Sequence, residues 1–212
     1  MVAAARGLLG ALLIRDDGLS VRTGRIVEVE AYGGRVDLAS HARSGPTARN
    51  AAMFAPSGRA YVYGVYGMHT CFNVVCGPVG QASAVLVRAV EPLEGVAAMR
   101  EARLSRGLAT RRSDRAAPAR AAARFVALPV ARLASGPGNV GAAFSIGQAD
   151  DGRDLLDRAS PLRLEARPPA ESCPDVGSGP RIGVGFAGAE WASRPWRFWI
   201  PGSPALSGQR GR

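Results

Sequence analysis

Residues able to do chemistry crowd into one stretch of this 212-residue chain: Glu28, Glu30, Tyr32, Asp37 and His41, then Tyr61, Tyr63 and Tyr66, then Asn73 and Arg88. All four tyrosines and both histidines lie between positions 32 and 69. Carboxylates among aromatic rings suit one particular task. Ring faces can sandwich a planar base taken out of a nucleic-acid stack while a carboxylate activates water beside it. The same residue types also build ordinary strands and cores, and on the residues alone both readings stand.

Charge narrows the choice of partner. The chain carries 27 basic against 17 acidic residues, a formal net charge of +10. Every basic side chain is arginine, so no side-chain amine is available to form a Schiff base. Nine arginines fall between positions 100 and 132 (Arg100, Arg103, Arg106, Arg111, Arg112, Arg115, Arg120, Arg124 and Arg132) against Glu101 and Asp114, a local net of +7. Such a stretch fits either a polyanion, bound by phosphate neutralisation and counterion release, or an Arg/Ala-rich solvated surface. Cys71, Cys76 and Cys173 form no C-x-x-C pair, and His41 and His69 have no metal-ligand spacing around them. Neither a disulfide framework nor a zinc site is expected. No apolar run approaches the roughly 20 residues that span a bilayer. The run from Leu8 to Ile14 is short and meets Arg15-Asp16-Asp17 instead of a small-residue cleavage site, which disfavours secretion and membrane anchoring.

Strands must position most of the chemical residues. Residues 25–30 alternate, with Ile26 and Glu28 on one side and Val27 and Val29 on the other, which predicts a strand ending at Glu30. Residues 33–58 are rich in Gly, Ser, Arg and Pro and read as loop, with a helical turn over 47–54. Two β-rich runs, 60–65 and 70–76, flank Tyr66-Gly67-Met68-His69, the pattern of a hairpin with Tyr66 near its tip. A large aromatic there is poor core material and suits insertion into a partner. Residues 84–90 predict a further strand, and Pro92 a helix over 93–104, since proline suits the first helical position. Residues 181–186 and 196–200 predict two more strands. Strands dominate without βαβ alternation, and no repeat or composition break divides the chain, which predicts one α+β domain.

On these elements the wording of several segments becomes specific. Gly24-Arg25-Ile26-Val27-Glu28-Val29-Glu30-Ala31-Tyr32 is followed by Asp37-Leu38-Ala39-Ser40-His41, then by Thr47-Ala48-Arg49-Asn50 with Met53-Phe54. Tyr61-Val62-Tyr63, Tyr66-Gly67-Met68, Cys71 and Asn73-Val74 come next, and then Val87-Arg88-Ala89-Val90-Glu91-Pro92-Leu93-Glu94-Gly95. Ser135-Gly136-Pro137-Gly138, Arg181-Ile182-Gly183 and Pro195-Trp196-Arg197-Phe198 complete the series. In this order, over roughly residues 6–207, the segments resemble the alkyladenine (3-methyladenine) DNA glycosylase family.

The resemblance implies a DNA repair enzyme that flips a damaged nucleotide out of double-stranded DNA and hydrolyses the N-glycosidic bond of alkylated purines, 3-methyladenine first. It implies Glu30 as the general base on the attacking water, its charge also stabilising an oxocarbenium-like transition state. Arg88 resembles the arginine that helps to hold that water. Tyr32, His41 and Tyr63 resemble the walls that stack on the flipped base. Electron-rich ring faces attract a cationic alkylated purine more than a neutral base, by something on the order of a kcal/mol. Tyr66 resembles the hairpin residue that intercalates from the minor groove, and Asn73 the gate against the 2-amino group of guanine. Without lysine, the expected enzyme is monofunctional and leaves an abasic site, and no metal or other cofactor is implied.

The expected fold is a single α+β domain over residues 1–207, with a curved, mainly antiparallel β-sheet, peripheral helices and a protruding DNA-inserting β-hairpin. A disordered tail is expected at 208–212. The protein is expected to act as a monomer, in the cytoplasm at the nucleoid, with no membrane partner. Two departures from the family pattern stand out: Asn139 follows Gly138 where the family often has a lysine, and Gly33-Gly34-Arg35 replaces a Gly-Pro-containing turn. Residues 105–132 carry little match, and their arginines are candidates to supply the missing lysine's phosphate contact. The competing class is a non-catalytic binding module of the same fold, recognising lesions or nucleic acid without turnover.

Overall fold

Gly10, whose φ of 87° lies in the left-handed region, breaks the apolar N-terminal run into a helix α1 (Val2–Leu8) and a strand β1 (Leu12–Asp16). The Asp17 side chain accepts from the amides of Leu19 and Ser20 and closes the turn into β2 (Val21–Gly33), which runs antiparallel to β1. The computed structural model describes residues 1–65, 67–109, 126–168 and 174–208. Tyr66, Arg111, Arg112, Arg115, Arg120, Arg124, Cys173 and residues 209–212, with the expectations attached to them, lie outside the described residues.

Strands β3 (Ala60–Val65) and β4 (His69–Cys76) form the expected hairpin, with Val65 opposite His69. Strand β5 (Ser83–Glu94) lies between β4 and β2, and β6 (Leu162–Glu165) at the far edge, in the order β3-β4-β5-β2-β1-β6. Strands β7 (Gly177–Gly179) and β8 (Arg197–Trp199) extend the sheet beside the second half of β2. All these pairings are antiparallel. With α2 (Val96–Ala109), α3 (Pro137–Ala143) and α4 (Ala189–Ser193) around the curled sheet, the fold is a single α+β domain as expected. No helix among the described residues is long and apolar enough to cross a membrane.

Alternation along the strands decides which side chains face where. Val29, Ala31, Val62, Phe72, Val74, Val85 and Val87 point to one face and join Leu13, Met99, Phe144 and Leu155 in the main core. The residues between them, Tyr32, Tyr61, Tyr63, Cys71, Asn73, Leu86 and Arg88, point to the other face and line a cleft. Each large buried aliphatic stabilises the fold by about 1.5–3 kcal/mol. A one-residue register slip would exchange the two faces, so the register is strongly specified.

Two register shifts between β2 and β5 correct the expected alternation of residues 25–30. Ile26 pairs with Val90, Glu28 with Ala89 and Val29 with Val87, which leaves Val27 and Arg88 as extra residues in the β2–β5 ladder. Ile26 and Val29 therefore share the main core, while Val27 packs with Ala89, Ala205 and Leu206 in a separate cluster.

Three further expectations are corrected. Glu30 lies inside β2, three residues before its end. The helix expected over 93–104 starts at Val96 instead, because β5 continues through Pro92 to Glu94 and Gly95, at φ 70°, makes the turn. Pro92 faces Gly24 at another register shift, where the missing N–H does least harm to the ladder. Residues 181–186 form no strand: Gly183, at φ 78°, and a 3₁₀ turn at Gly185–Ala187 make a loop of them. The turn expected over 47–54 is a 3₁₀ helix at Ala51–Phe54.

Candidate active site

The alternate residues of β3, β4, β5 and β2 wall a cleft of about 220 Å³, and the loop over 181–186 forms its lip. Tyr32, Arg88 and Ile182 line this cleft, and all three bind Glu30, which is fully buried behind them. Glu30 Oε1 accepts from Arg88 Nη1 at 3.1 Å and from the Ile182 amide at 2.7 Å, while Oε2 accepts from the Tyr32 hydroxyl at 2.9 Å. Burial, reinforced by the charge of Glu30, holds the Tyr32 phenol well above its ordinary pKa, so this hydroxyl remains the donor. A carboxylate offers about four acceptor sites. By that count the three donors leave one acceptor site of Glu30 unfilled among the described residues.

Behind Tyr32 lies Arg181, whose side chain is fully buried. It grips Asp37 with two bonds, Nη1 to Oδ2 at 2.6 Å and Nη2 to Oδ1 at 3.0 Å, and its guanidinium carbon sits 4.7 Å from the Tyr32 ring centre and 5.0 Å from that of Trp196. Asp37 also accepts from the amides of Gly33 and Ala39, each at 3.0 Å. The Gly33 bond closes the loop from Gly33 to Asp37, so a carboxylate secures the Gly33-Gly34-Arg35 turn in place of the proline found in the family pattern. Burial pushes the Asp37 carboxyl up, but Arg181 and the two amides together outweigh it and hold the group below the usual carboxylate range.

The opposite wall is aromatic. The His41 ring stands edge-on to Tyr63, with centroids 4.5 Å apart and planes at 70°, and its Nδ1 shares a 2.8 Å hydrogen bond with the Tyr61 hydroxyl. Partial desolvation, then the nearby Arg49 and Arg43, lower the His41 pKa and keep the ring neutral at pH 7. Burial raises the Tyr61 phenol to about 12 and the Tyr63 phenol still further. Asn73 Nδ2 donates to the Tyr61 carbonyl at 3.0 Å, an assignment required because a carbonyl can only accept. Cys71, across the hairpin from Tyr63, is a free thiol whose pKa burial raises. At the lip, Phe186 is 67% exposed with Arg43 lying 5.5 Å over its ring. Arg43 and Arg49 line an adjoining polar cleft with Thr47 and Asn50. They donate to the carbonyls of Leu38 and Gly64, and neither meets a carboxylate among the described residues.

The structure thus brings Glu30, Arg88 and Tyr32 into direct contact and sets His41, Tyr63 and Asn73 around the same cleft. Tyr66 lies outside the described residues. Asn139, at the position of the family's lysine, turns back to donate to the Ser135 carbonyl at 2.6 Å. Sequence reasoning assigned no part to Tyr61, Arg181, Ile182 or Phe186. Tyr61, two residues before Tyr63 in a strand, carried a readable signal of sharing its face. Nothing in spacing linked Arg181 to Asp37.

The profile of the methylpurine-DNA glycosylase (MPG) family matches residues 1–204. A protein of Nocardia farcinica named as a 3-methyladenine DNA glycosylase is 46% identical over 212 residues, covering 98% of this chain and 86% of the relative. One of the same name from Rhodococcus jostii is 47% identical over 214 residues, covering 99% and 81%. Another, from Anaeromyxobacter dehalogenans, is 45% identical over 204 residues, covering 96% and 79%.

Proposed function

Since the chain belongs to the methylpurine-DNA glycosylase family, we propose that it removes alkylated purines, 3-methyladenine first, from double-stranded DNA and leaves an abasic site. It is a DNA glycosylase, a hydrolase acting on N-glycosyl bonds. The observation that carries the mechanism is Glu30, buried yet bound by three cleft-lining residues and able to accept one more donor.

In the reaction a water bound to Glu30 attacks the anomeric carbon of the extruded nucleotide and gives its proton to the carboxylate, while the bond to the base breaks and its electron pair leaves with the base. An alkylated purine already carries a positive charge and departs neutral, so no acid is needed to protonate it. Positive charge develops on the sugar as the bond stretches, and the carboxylate stabilises it. Arg88 orients Glu30 and the water. Tyr32, His41 and Tyr63 stack around the base, Asn73 screens its edge, and Tyr66 fills the gap left in the duplex. Without lysine, an imine pathway to strand cleavage has no side-chain amine, which supports a monofunctional enzyme. A binding module without turnover is not favoured. Burying a carboxylate beside a polyanion costs affinity, and chemistry is what offsets that cost.

The test compares wild type with Glu30→Gln on methylated duplex DNA, scoring free base, abasic sites and strand breaks separately. Wild type is expected to release 3-methyladenine without nicking, and the variant to bind the DNA but release no base. Binding by both proteins with release by neither would overturn the assignment in favour of the binding module.

A further inference from the structure

Arg88 does not belong to Glu30 alone. Its Nη1 reaches Glu30, but its Nε is directed to Glu28 Oε1 and to Ser207 Oγ, each at 3.2 Å. Glu28 sits two residues before Glu30 in β2 and is fully buried. Its Oε1 accepts from Arg88, from Arg197 Nε at 2.7 Å and from Ser207 Oγ at 2.9 Å, and its Oε2 accepts from the Ser207 amide at 2.5 Å. Glu28 touches no cleft-lining position except through Arg88.

The C-terminal segment is delivered to this point by the irregularity in the sheet. Val27, left over at the register shifts, and Ala89, paired with Glu28 beside it, form the apolar seat on which Ala205 and Leu206 pack. The Leu206 carbonyl accepts from Ser135 Oγ at 3.1 Å and from Arg132 Nη1 at 3.2 Å, and Arg197 Nη2 donates to the Ser207 carbonyl at 3.2 Å. Seated there, Ser207 can offer both its amide and its hydroxyl to Glu28.

Building on the glycosylase reading, we infer that Glu28, held by Ser207, is a positioning residue for catalysis: it keeps Arg88 from being spent wholly on the catalytic carboxylate. The reason is geometric and electrostatic. With Nε engaged by Glu28 and Ser207, Arg88 meets Glu30 through Nη1 only, on Oε1, and Oε2 is left to Tyr32 and to a water. Guanidinium and carboxylate otherwise favour a two-bond grip that would occupy both oxygens. The quartet Glu28, Glu30, Arg88 and Arg197 is also neutral as a set. Removing the charge of Glu28 leaves a net positive charge beside a sugar on which positive charge must develop, in an interior where such interactions are poorly screened.

The experiment measures single-turnover base release from methylated duplex DNA, and affinity for the same DNA, in Glu28→Gln, Ser207→Ala and Ser207→Thr. Glu28→Gln is expected to lower the rate constant at least 100-fold with affinity within about threefold of wild type. Ser207→Ala, which removes one hydroxyl and keeps the amide, is expected to lower it about tenfold, and Ser207→Thr to restore most of that loss. Thermal unfolding of each variant identifies the folded fraction. Folded Ser207→Ala that releases base at the wild-type rate overturns the proposal even if Glu28→Gln fails to fold, and so do parallel losses in Ser207→Ala and Ser207→Thr. Absence of base release by wild type would instead mark a failure of the glycosylase reading itself.

Discussion

Replacing Asp37 by asparagine keeps the side chain's shape and removes one charge, and the consequences follow from its four bonds. Arg181, fully buried, would lose its counter-charge, and the new amide NH₂ would face either the guanidinium or the N–H of Gly33 or Ala39, all of them donors. Removing one partner of a buried ion pair costs about 3–5 kcal/mol, a large part of the roughly 5–15 kcal/mol that holds a domain folded. At about 2–4 °C per kcal/mol for a chain of this size, Tm should fall by roughly 6–20 °C. The assay is urea and thermal unfolding of wild type and Asp37→Asn across pH. The carboxyl is held below its unfolded value in the folded state, so its contribution is complete above the unfolded pKa and lost as pH falls through the lower, folded one. The gap between the two proteins should therefore be constant at neutral pH and narrow below about pH 4. A loss under about 1 kcal/mol, measured against that 3–5 kcal/mol expectation, would refute the claim that this pair braces the wall of the cleft, as would a gap that does not narrow in acid.

Two other expectations can be checked on the same material. His41 is held neutral by a lowered pKa, so its protonation sets in only at acid pH, where an imidazolium would repel a cationic purine. KM for release of cationic bases should rise as pH falls through that lowered pKa, and His41→Gln should abolish the rise; identical profiles would exclude His41 as the titrating wall. Arg43 and Arg49, at the cleft mouth and without carboxylate partners among the described residues, should contact DNA phosphates. Replacing either by alanine should weaken binding to damaged and intact duplex alike and reduce the slope of log K against log salt by about 0.9. An unchanged slope removes that arginine from the DNA-binding face.

What could be read in advance follows from how local each signal was. The hairpin of β3 and β4 was legible because strict alternation and a Gly-containing turn are properties of neighbouring residues. So was the crowding of Glu30, Tyr32, Tyr63 and Arg88 into one stretch of the chain, although their roles came from the family resemblance. The errors arose where a local pattern competed with tertiary contacts. Pro92 looked like a helix start, yet a register shift opposite Gly24 accommodated it within a strand. Ile182, Val184 and Phe186 alternate like strand residues, but Gly183 turns the backbone and leaves Ile182 free to present its amide to Glu30. The extra residues Val27 and Arg88 left no mark in composition, and the pairing of Asp37 with Arg181 joins positions too far apart for any pattern to connect.

The alternation of cleft and core along four strands has a consequence for how such a protein can change over generations. Tyr61, Tyr63, Cys71, Asn73, Leu86 and Tyr32 line the cleft, while their neighbours along the chain, such as Val62, Phe72, Val74, Val85, Val87 and Ala31, face the interior. Exchanging one residue for another at the outward positions re-cuts the shape of the binding surface and leaves the packing beneath it intact. Insertion or deletion of a single residue in the same strands does the opposite wherever no bulge like those at Val27 and Arg88 absorbs it, turning the binding surface inward and the interior outward in one step. The shape of the cleft is thus free to drift by point substitution, whereas the lengths of these four strands can change only where a bulge absorbs the difference.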